Sequence, residues 1–218
     1  MRFKMDNKEF YIKPIPDDIF EKMQGKSYKE NCTLPREELR YLHILHVGFD
    51  NNTHEGELIV NKRIAEDVLD IFKELYKAGY QIEKVRLIDE YNAQDELSMR
   101  DNNSSAFNFR YISYSTTLSK HAMGLAVDIN TLYNPYIKQV DGRLNIEPAN
   151  AVKYVDRNRQ FPHKIDHDDL CCKLFTKYGF EWGETHVEME TNDHVQSQWQ
   201  YLDCECHKRR RCYIKEIK

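Results

Sequence analysis

The sequence lacks any long apolar run, since its longest apolar stretches are only a few residues. A helix needs about 20 apolar residues to cross a bilayer, so no membrane span is predicted. Residues 1–11 likewise lack the apolar stretch of a signal peptide. We therefore expect that the protein stays inside its cell, that a leader has been removed, or that release occurs by lysis.

An excess of basic residues is also missing, because the 218 residues carry a formal net charge of -4 at pH 7. This charge provides no general affinity for polyanions, so nucleic acid is not an expected partner. The basic run at residues 208–211 is expected to be solvated. The length suits a compact domain with a substantial core, and the sequence leaves the oligomeric state open.

The cysteines include no C-x-x-C pair, which is the usual half of a structural zinc site. Their uneven placement is also unlike the disulfide framework of a small secreted protein. Adjacent Cys171 and Cys172 are predicted to be small apolar fillers in a helix. For the tail cysteines we leave open a second zinc site with His207, disulfides among themselves, or a disulfide with Cys32. These tail cysteines are Cys204, Cys206 and Cys212.

Apolar patterning predicts a mixture of short strands and two longer helices. One helix follows Asn61 as its cap and ends before Gly79. The second is capped by Asp166 and runs to Tyr178, before Gly179. Strands are predicted at residues 39–47, 57–60, 85–88 and 105–112, with shorter helical segments near residues 17–23 and within residues 92–103.

This order of elements predicts a domain at residues 39–200, preceded by an arm at 1–38 and followed by a tail at 201–218. Residues 131–162 are read as an insertion in that domain. Asp141 and Gly142 in the insertion indicate a two-residue hairpin turn. Such a ribbon would either wall a substrate groove or form a loop without function, and both readings stay open.

Residues 119–130, S-K-H-A-M-G-L-A-V-D-I-N, contain two potential metal ligands, His121 and Asp128. Side chains seven positions apart share neither a strand face nor, reliably, a helix face, so these two must converge through a bend. Gly124 is the natural place for that bend. Residues 125–129 alternate as a half-buried strand does, which would hold Asp128 rigidly.

This stretch resembles the S-x-H-x-x-G-x-A-x-D-x-N signature of the zinc D-alanyl-D-alanine peptidase family. That family includes vancomycin-resistance D,D-dipeptidases, D,D-carboxypeptidases and L-alanyl-D-glutamate endolysins of phages. The signature falls on Ser119, His121, Gly124, Ala126, Asp128 and Asn130. The resemblance implies an α+β fold in which a small antiparallel sheet carries a zinc site and helices pack behind it. It also implies hydrolysis of peptidoglycan stem peptides, in the cell envelope or outside the cell.

Residues 179–196 resemble the G-F-x-W-G-G-x-W segment that follows in the endolysin-like branch. The matching positions are Gly179, Phe180, Trp182 and Gly183. Aligned without gaps, His194 falls on the third metal ligand of the family. The resemblance thus implies one zinc per chain, held by His121, Asp128 and His194 with a fourth position for water. Ser119 and Trp182 become candidate substrate contacts.

The resemblance departs from the family at the general base, an acidic residue three positions before the last ligand. That position is Thr191, whose hydroxyl does not accept a proton at neutral pH as a carboxylate does. Glu190 is the preferred substitute because its longer side chain recovers one residue of displacement; Asp193 is the other flanking candidate, and Glu188 is also near. Thr191 also supports an alternative function, a catalytically degenerate module that keeps zinc and binds wall peptide.

Arg110 resembles the arginine that helps bind substrate on the strand before the family's metal motif. Its guanidinium suits a peptide carboxylate or carbonyl oxygen, so we include it among the catalytic and substrate-binding candidates. The alternative reading is a surface salt bridge.

Overall fold

A computed structural model describes residues 9–140, 142–182 and 212–215. Its mixture of helices and small, mostly antiparallel sheets confirms the α+β class. The helices and strands are β1 (Tyr11–Lys13), α1 (Asp17–Met23), β2 (Leu39–Val47), β3 (Thr53–Asn61), α2 (Ala65–Lys77), β4 (Lys84–Val85), α3 (Asp95–Arg100), β5 (Asn103–Ser104), β6 (Ala126–Asp128), β7 (Tyr136–Val140), β8 (Arg143–Glu147), α4 (Leu170–Lys177), β9 (Glu181–Trp182) and β10 (Cys212–Ile214).

The first antiparallel sheet has the order β1-β2-β3. Strands β2 and β3 pair along their whole length, from Leu39 opposite Asn61 to Val47 opposite Thr53. Helix α2 buries its apolar stripe in the same core, because residues three and four apart fall on one helix face. Its buried side chains include Val68, Ile71, Phe72 and Leu75. No helix in the described ranges is long and apolar enough to span a membrane.

The predicted caps of both longer helices are wrong. Asn61 accepts a hydrogen bond from the amide of Arg63 at 3.1 Å, and α2 begins only at Ala65. Asp166 similarly accepts from the amide of Asp168 at 3.2 Å. Both residues close a turn before their helix, as Asn and Asp side chains commonly do. The cap of α4 is Asp169, whose carboxylate accepts from the amide of Cys171 at 2.8 Å.

The second sheet has the order β6-β10-β9, so the last described residues supply its middle strand. Tyr213 of β10 is buried and stacks on Phe175 of α4 at 3.8 Å between ring centroids. Lys215 donates to the Asp67 carboxylate at 2.5 Å and to the Tyr178 carbonyl at 3.0 Å. Two residues of the predicted tail are therefore tied to the domain, since Tyr213 is buried in its core and Lys215 bonds to Asp67 and Tyr178.

Residues 105–112 do not form the predicted strand. Ser105 bridges to Asp128 and Tyr111 bridges to Leu118, but the residues between them pair with no single strand. The amide of Phe107 donates to Ile59, and that of Phe109 donates to Ser27. Side chains on both sides of the segment are buried. The polar face that the alternation suggested is therefore not exposed to solvent. These buried side chains are Ala106, Phe107, Asn108 and Phe109.

Two other predictions near this segment have different outcomes. The predicted strand at 85–88 is reduced to β4, which ends at Val85, and Ile88–Tyr91 forms a 3-10 helix. The hairpin is confirmed, since β7 and β8 pair with Val140 opposite Arg143. It contacts the loop before the metal motif through Lys138, which donates to the Ser113 carbonyl at 3.3 Å.

The N-terminal arm contributes to the fold from residue 9 onward. β1 extends the first sheet with Ile12 opposite Leu42, and Met23 of α1 is completely buried. Ser27 donates its amide and its hydroxyl to the buried carboxylate of Asp89 at 3.1 and 2.9 Å. Burial raises the pKa of Asp89 above its usual value, despite these hydrogen bonds.

The described cysteines agree with the predicted packing role. Cys171 and Cys172 are both buried in α4 as part of the main apolar core. Cys32 carries a free thiol that lies 3.8 Å from the carbonyl oxygen of Leu34. Cys204, Cys206 and His207 lie outside the described residues.

Candidate metal centre

His121 lies in a 3-10 helix, Lys120–Met123, that begins after Ser119. The Ser119 hydroxyl accepts a hydrogen bond from the His121 amide at 3.3 Å, so this serine shapes the turn. Gly124 ends the turn with a φ of +65°. The predicted bend is therefore confirmed at Gly124, in the left-handed region that glycine adopts most easily.

Close packing also requires glycine at position 124. A Cβ atom there would lie 2.7 Å from the backbone nitrogen of Asn61, much closer than real Cβ contacts. The same Asn61 amide donates to the Gly124 carbonyl at 2.8 Å, and the Asn61 side chain donates to the Met123 carbonyl at 3.1 Å. The end of β3 thus holds the turn that carries His121.

Asp128 ends β6 and is held from both edges. On one side its backbone exchanges hydrogen bonds with Ser105 at 2.9 and 3.2 Å, and on the other it is the register partner of Cys212 in β10. Ala126 and Val127 are both completely buried. The strand is therefore buried on both faces rather than half-buried as predicted, because β10 pairs along one edge and Val127 lies in the main apolar core.

His121 and Asp128 converge. Nε2 of His121 lies 3.2 Å from Oδ2 of Asp128, and both side chains are buried. Two ligands of a tetrahedral zinc, each about 2.1 Å from the ion, are separated by about 3.4 Å. The spacing of this pair therefore fits two ligands of one zinc ion.

The other ring nitrogen of His121 fixes the tautomer. Nδ1 lies 2.6 Å from the carbonyl oxygen of Ala106, which can only accept, so Nδ1 carries a proton. In the neutral ring Nε2 then presents a lone pair towards the Asp128 carboxylate. Two acceptors at this distance are joined either by a proton, carried by the ring or by the carboxyl group, or by a metal ion.

Within the described ranges no three His, Cys, Asp or Glu side chains are grouped as a metal site. The predicted third ligand, His194, lies outside those ranges, as do the base candidates Glu190 and Asp193 and the departure at Thr191. The donor set that is described, one imidazole and one carboxylate, is compatible with zinc. The complete ligand set stays a prediction.

Arg110 lies beside the same turn, because its carbonyl accepts a hydrogen bond from the Ser119 amide at 3.0 Å. Its side chain is mostly buried and its Nε forms an ion pair with Oδ2 of Asp95 in α3. The salt bridge of the alternative reading is therefore present, although it is largely buried. The substrate-binding role of Arg110 stays a prediction.

The remaining signature position has a structural role. Asn130 adopts a φ of +46°, and its side chain accepts from the Glu83 amide and donates to the Gln81 carbonyl at 3.1 and 3.0 Å. It thereby fixes the chain just after Asp128. The backbone of Trp182 pairs with Tyr213 in the sheet that carries Asp128. A substrate contact by Ser119 or Trp182 stays a prediction.

Sequence reasoning missed the residues that orient the pair. Ala106 acts through its carbonyl oxygen, which no residue type reveals. Asn108 donates its amide nitrogen Nδ2 to Asp95 at 2.8 Å, and its backbone amide donates to the His121 carbonyl at 3.2 Å. The polar stretch before Asn103 gave no sign that Asp95 reaches this segment.

Together these features define an α+β protein with a buried histidine and aspartate at metal-ligand spacing. Residues 113–197 match the model of the family described as D-alanyl-D-alanine carboxypeptidase. This match confirms the resemblance seen in the sequence and supports a peptidase. It covers less than half of the chain and begins at residue 113, so residues 39–112 of the predicted domain lie before it. No curated protein and no solved structure matches the chain.

Proposed function

We propose that the protein is a zinc metallopeptidase that hydrolyses D-amino-acid-containing peptide bonds in the stem peptides of bacterial peptidoglycan. The observation that carries this proposal is the buried pair of His121 and Asp128, 3.2 Å apart, with Nε2 selected as the inward-facing nitrogen. His194 would complete the ligand set. The family match over residues 113–197 includes all three positions and supports the substrate class.

The residues of the chain would divide the chemistry between them. Zinc, when bound, would polarise the scissile carbonyl and lower the pKa of the attacking water. Glu190 would accept the proton of that water and return it to the leaving amine, with Asp193 as the other candidate for this role. Arg110 would donate a hydrogen bond to the carbonyl oxygen as negative charge develops there. Ser119 and Trp182 would contact the substrate.

The proposed substrate implies action in the cell envelope or outside the cell. The type of cut, whether at a terminal residue, a dipeptide or an internal bond, follows from the shape of the groove. The hairpin of β7 and β8 is the element placed to influence that shape, because Lys138 and Glu147 both bond to Ser113 in the loop before the metal motif.

A second candidate function is a non-enzymatic module that keeps zinc and binds wall peptide. Thr191 favours it, because the position of the family's general base holds no carboxylate. The fold that the sequence resemblance implies has a precedent for such a role in the animal hedgehog signalling domain, which carries zinc in a binding role.

Incubation of the purified protein with isolated peptidoglycan, with and without a chelator, separates these functions. Release of new free amines that the chelator abolishes and added zinc restores supports the peptidase. Zinc bound to the protein without amine release supports the binding module. Absence of bound zinc after refolding or purification with excess zinc would contradict both.

A further inference from the structure

The Arg110 side chain belongs to a polar network that is separate from the His121 and Asp128 side chains. Its Nε is paired with the carboxylate of Asp95, and its Nη1 lies 3.4 Å from the Tyr111 carbonyl oxygen. The Arg110 side chain is only 13% exposed. Within the described part of the chain, Nη2 donates no hydrogen bond to a protein acceptor. One edge of the guanidinium is therefore fixed while an outer amino group keeps its donors.

Asp95 is itself held in place. Its other carboxylate oxygen accepts from Nδ2 of Asn108 at 2.8 Å, and the same nitrogen lies 3.3 Å from the Ala93 carbonyl oxygen. Asn108 is 3% exposed, so this amide is locked by packing as well as by hydrogen bonds. A carboxylate anchored at one oxygen presents the other in a fixed direction, which suits the planar guanidinium.

Asn108 also joins this network to the metal pair. Its backbone amide donates to the carbonyl of His121 at 3.2 Å, two residues after Ala106 accepts from the ring of the same histidine. The segment that orients the His121 imidazole thus also carries Arg110. Any rotation of the segment would move the guanidinium and the metal ligand together.

We propose that Asp95 and Asn108 are positioning residues that hold the Arg110 guanidinium ready for a carbonyl oxygen of the substrate. This inference rests on the proposed function, because it requires a peptide bound beside His121. An arginine side chain that is free in solution loses considerable rotamer entropy when it binds. The Asp95 pairing removes that freedom before the substrate arrives, so the donor is already aligned when charge develops on the oxygen.

A double-mutant cycle tests this role. Asp95→Asn keeps the shape of the side chain and removes its charge, and it is combined with Arg110→Ala, or with Arg110→Gln if the alanine variant does not fold. We expect Asp95→Asn to lower kcat/KM for peptidoglycan stem peptide by about 10- to 100-fold, with unchanged zinc content. In the Arg110 variant the same substitution is expected to cause no further loss, because Asp95 acts through Arg110.

The matched control is Glu96→Gln on the same helix. Glu96 pairs with Arg100 at 2.8 Å, but both side chains are well exposed, and the substitution is expected to leave kcat/KM unchanged. Equal losses from Asp95→Asn with and without Arg110 would overturn the proposal, as would a loss of thermal stability without any loss of kcat/KM.

A failure of the proposed function gives a different result. If the wild-type protein releases no amines, the same cycle is run on its binding of the stem peptide, where coupling supports the positioning role and additivity overturns it. If the wild-type protein neither hydrolyses nor binds the stem peptide, both proposals are overturned.

Discussion

The carbonyl oxygen of Ala106 lies 2.6 Å from Nδ1 of His121, and this contact decides which ring nitrogen faces Asp128. The bond comes from an extended segment that is itself buried, so the ring cannot turn without breaking backbone contacts. Hydrogen bonds to the outer nitrogen of a metal-ligating histidine orient the ring and raise its basicity as a ligand.

We expect the purified protein to carry one zinc ion per chain and His121→Ala to abolish binding, since the substitution removes a ligand whose orientation is fixed in advance. Metal content measured by mass spectrometry of the hydrolysed protein checks this. His43→Ala is the control, because His43 lies in β2 and contacts the Glu9 carbonyl. Full zinc content in His121→Ala would contradict the assigned ligand.

Glu190→Gln is expected to lower the rate of amine release by about 100- to 10,000-fold while zinc stays bound, because the variant loses the proton acceptor. Single-turnover assays on stem peptide measure the effect. Glu181→Gln, at an exposed position in β9, serves as the control and is expected to keep most of the activity. If Asp193→Asn shows the large loss and Glu190→Gln does not, the base is Asp193.

Gly124→Ala is expected to destabilise the fold by more than the left-handed backbone alone requires. A left-handed backbone at a residue other than glycine costs about 1–3 kcal/mol, and here the new Cβ would in addition meet the Asn61 nitrogen at 2.7 Å. Gly79→Ala is the matched control, since Gly79 has a similar φ of +68° but no heavy atom within 4 Å of an added Cβ. Urea unfolding of both variants isolates the steric part. Equal losses would show that the packing against Asn61 is unimportant.

Tyr213→Ala is expected to lower the free energy of unfolding by about 3–5 kcal/mol, as for other large aromatic truncations in a core. The ring is 1% exposed and stacks on Phe175, so its loss leaves a cavity beneath the sheet that carries Asp128. Tyr114→Ala is the control at an exposed site, with an expected change within about 0.5 kcal/mol. Denaturant titrations compare the two variants.

The burial of His46 is expected to make the stability of the fold depend on pH. His46 is buried in β2 with Nδ1 2.7 Å from the Ile82 carbonyl oxygen, and burial lowers its pKa. In the unfolded chain His46 takes up a proton near pH 6.5, whereas in the folded chain it stays neutral to lower pH. The free energy of unfolding therefore falls as the pH drops below about 6.5. His46→Gln is expected to lose less stability than the wild-type protein between pH 7.5 and 5.5. Urea midpoints at both pH values measure this, with His167→Gln at an exposed position as the control.

The sequence was most informative where the pattern was local. The bounds of α1 and β2, the hairpin turn before Gly142 and the bend at Gly124 all follow from turn chemistry or from side-chain period. The convergence of His121 with Asp128 was predicted from their spacing and the bend between them.

Interactions between distant segments could not be predicted in this way. The alternation in residues 105–112 has the period of a strand, yet the amides of Phe107 and Phe109 donate to separate segments, Ile59 of β3 and Ser27, rather than to one neighbouring strand. Asn61 and Asp166 have the chemistry of helix caps, but each closes an earlier turn. The ion pair of Asp95 with Arg110 joins a helix and a loop, and no local sequence pattern in either segment predicts it.

The central position of β10 has a consequence for biosynthesis. A ribosome delivers β6 long before residues 212–215, so Asp128 would wait on an unpaired edge until they emerge. The approach of Asp128 to His121 would then be fixed late, after most of the first sheet and α2 have already formed. Such timing would make the buried pair one of the last parts of the described fold to become ordered.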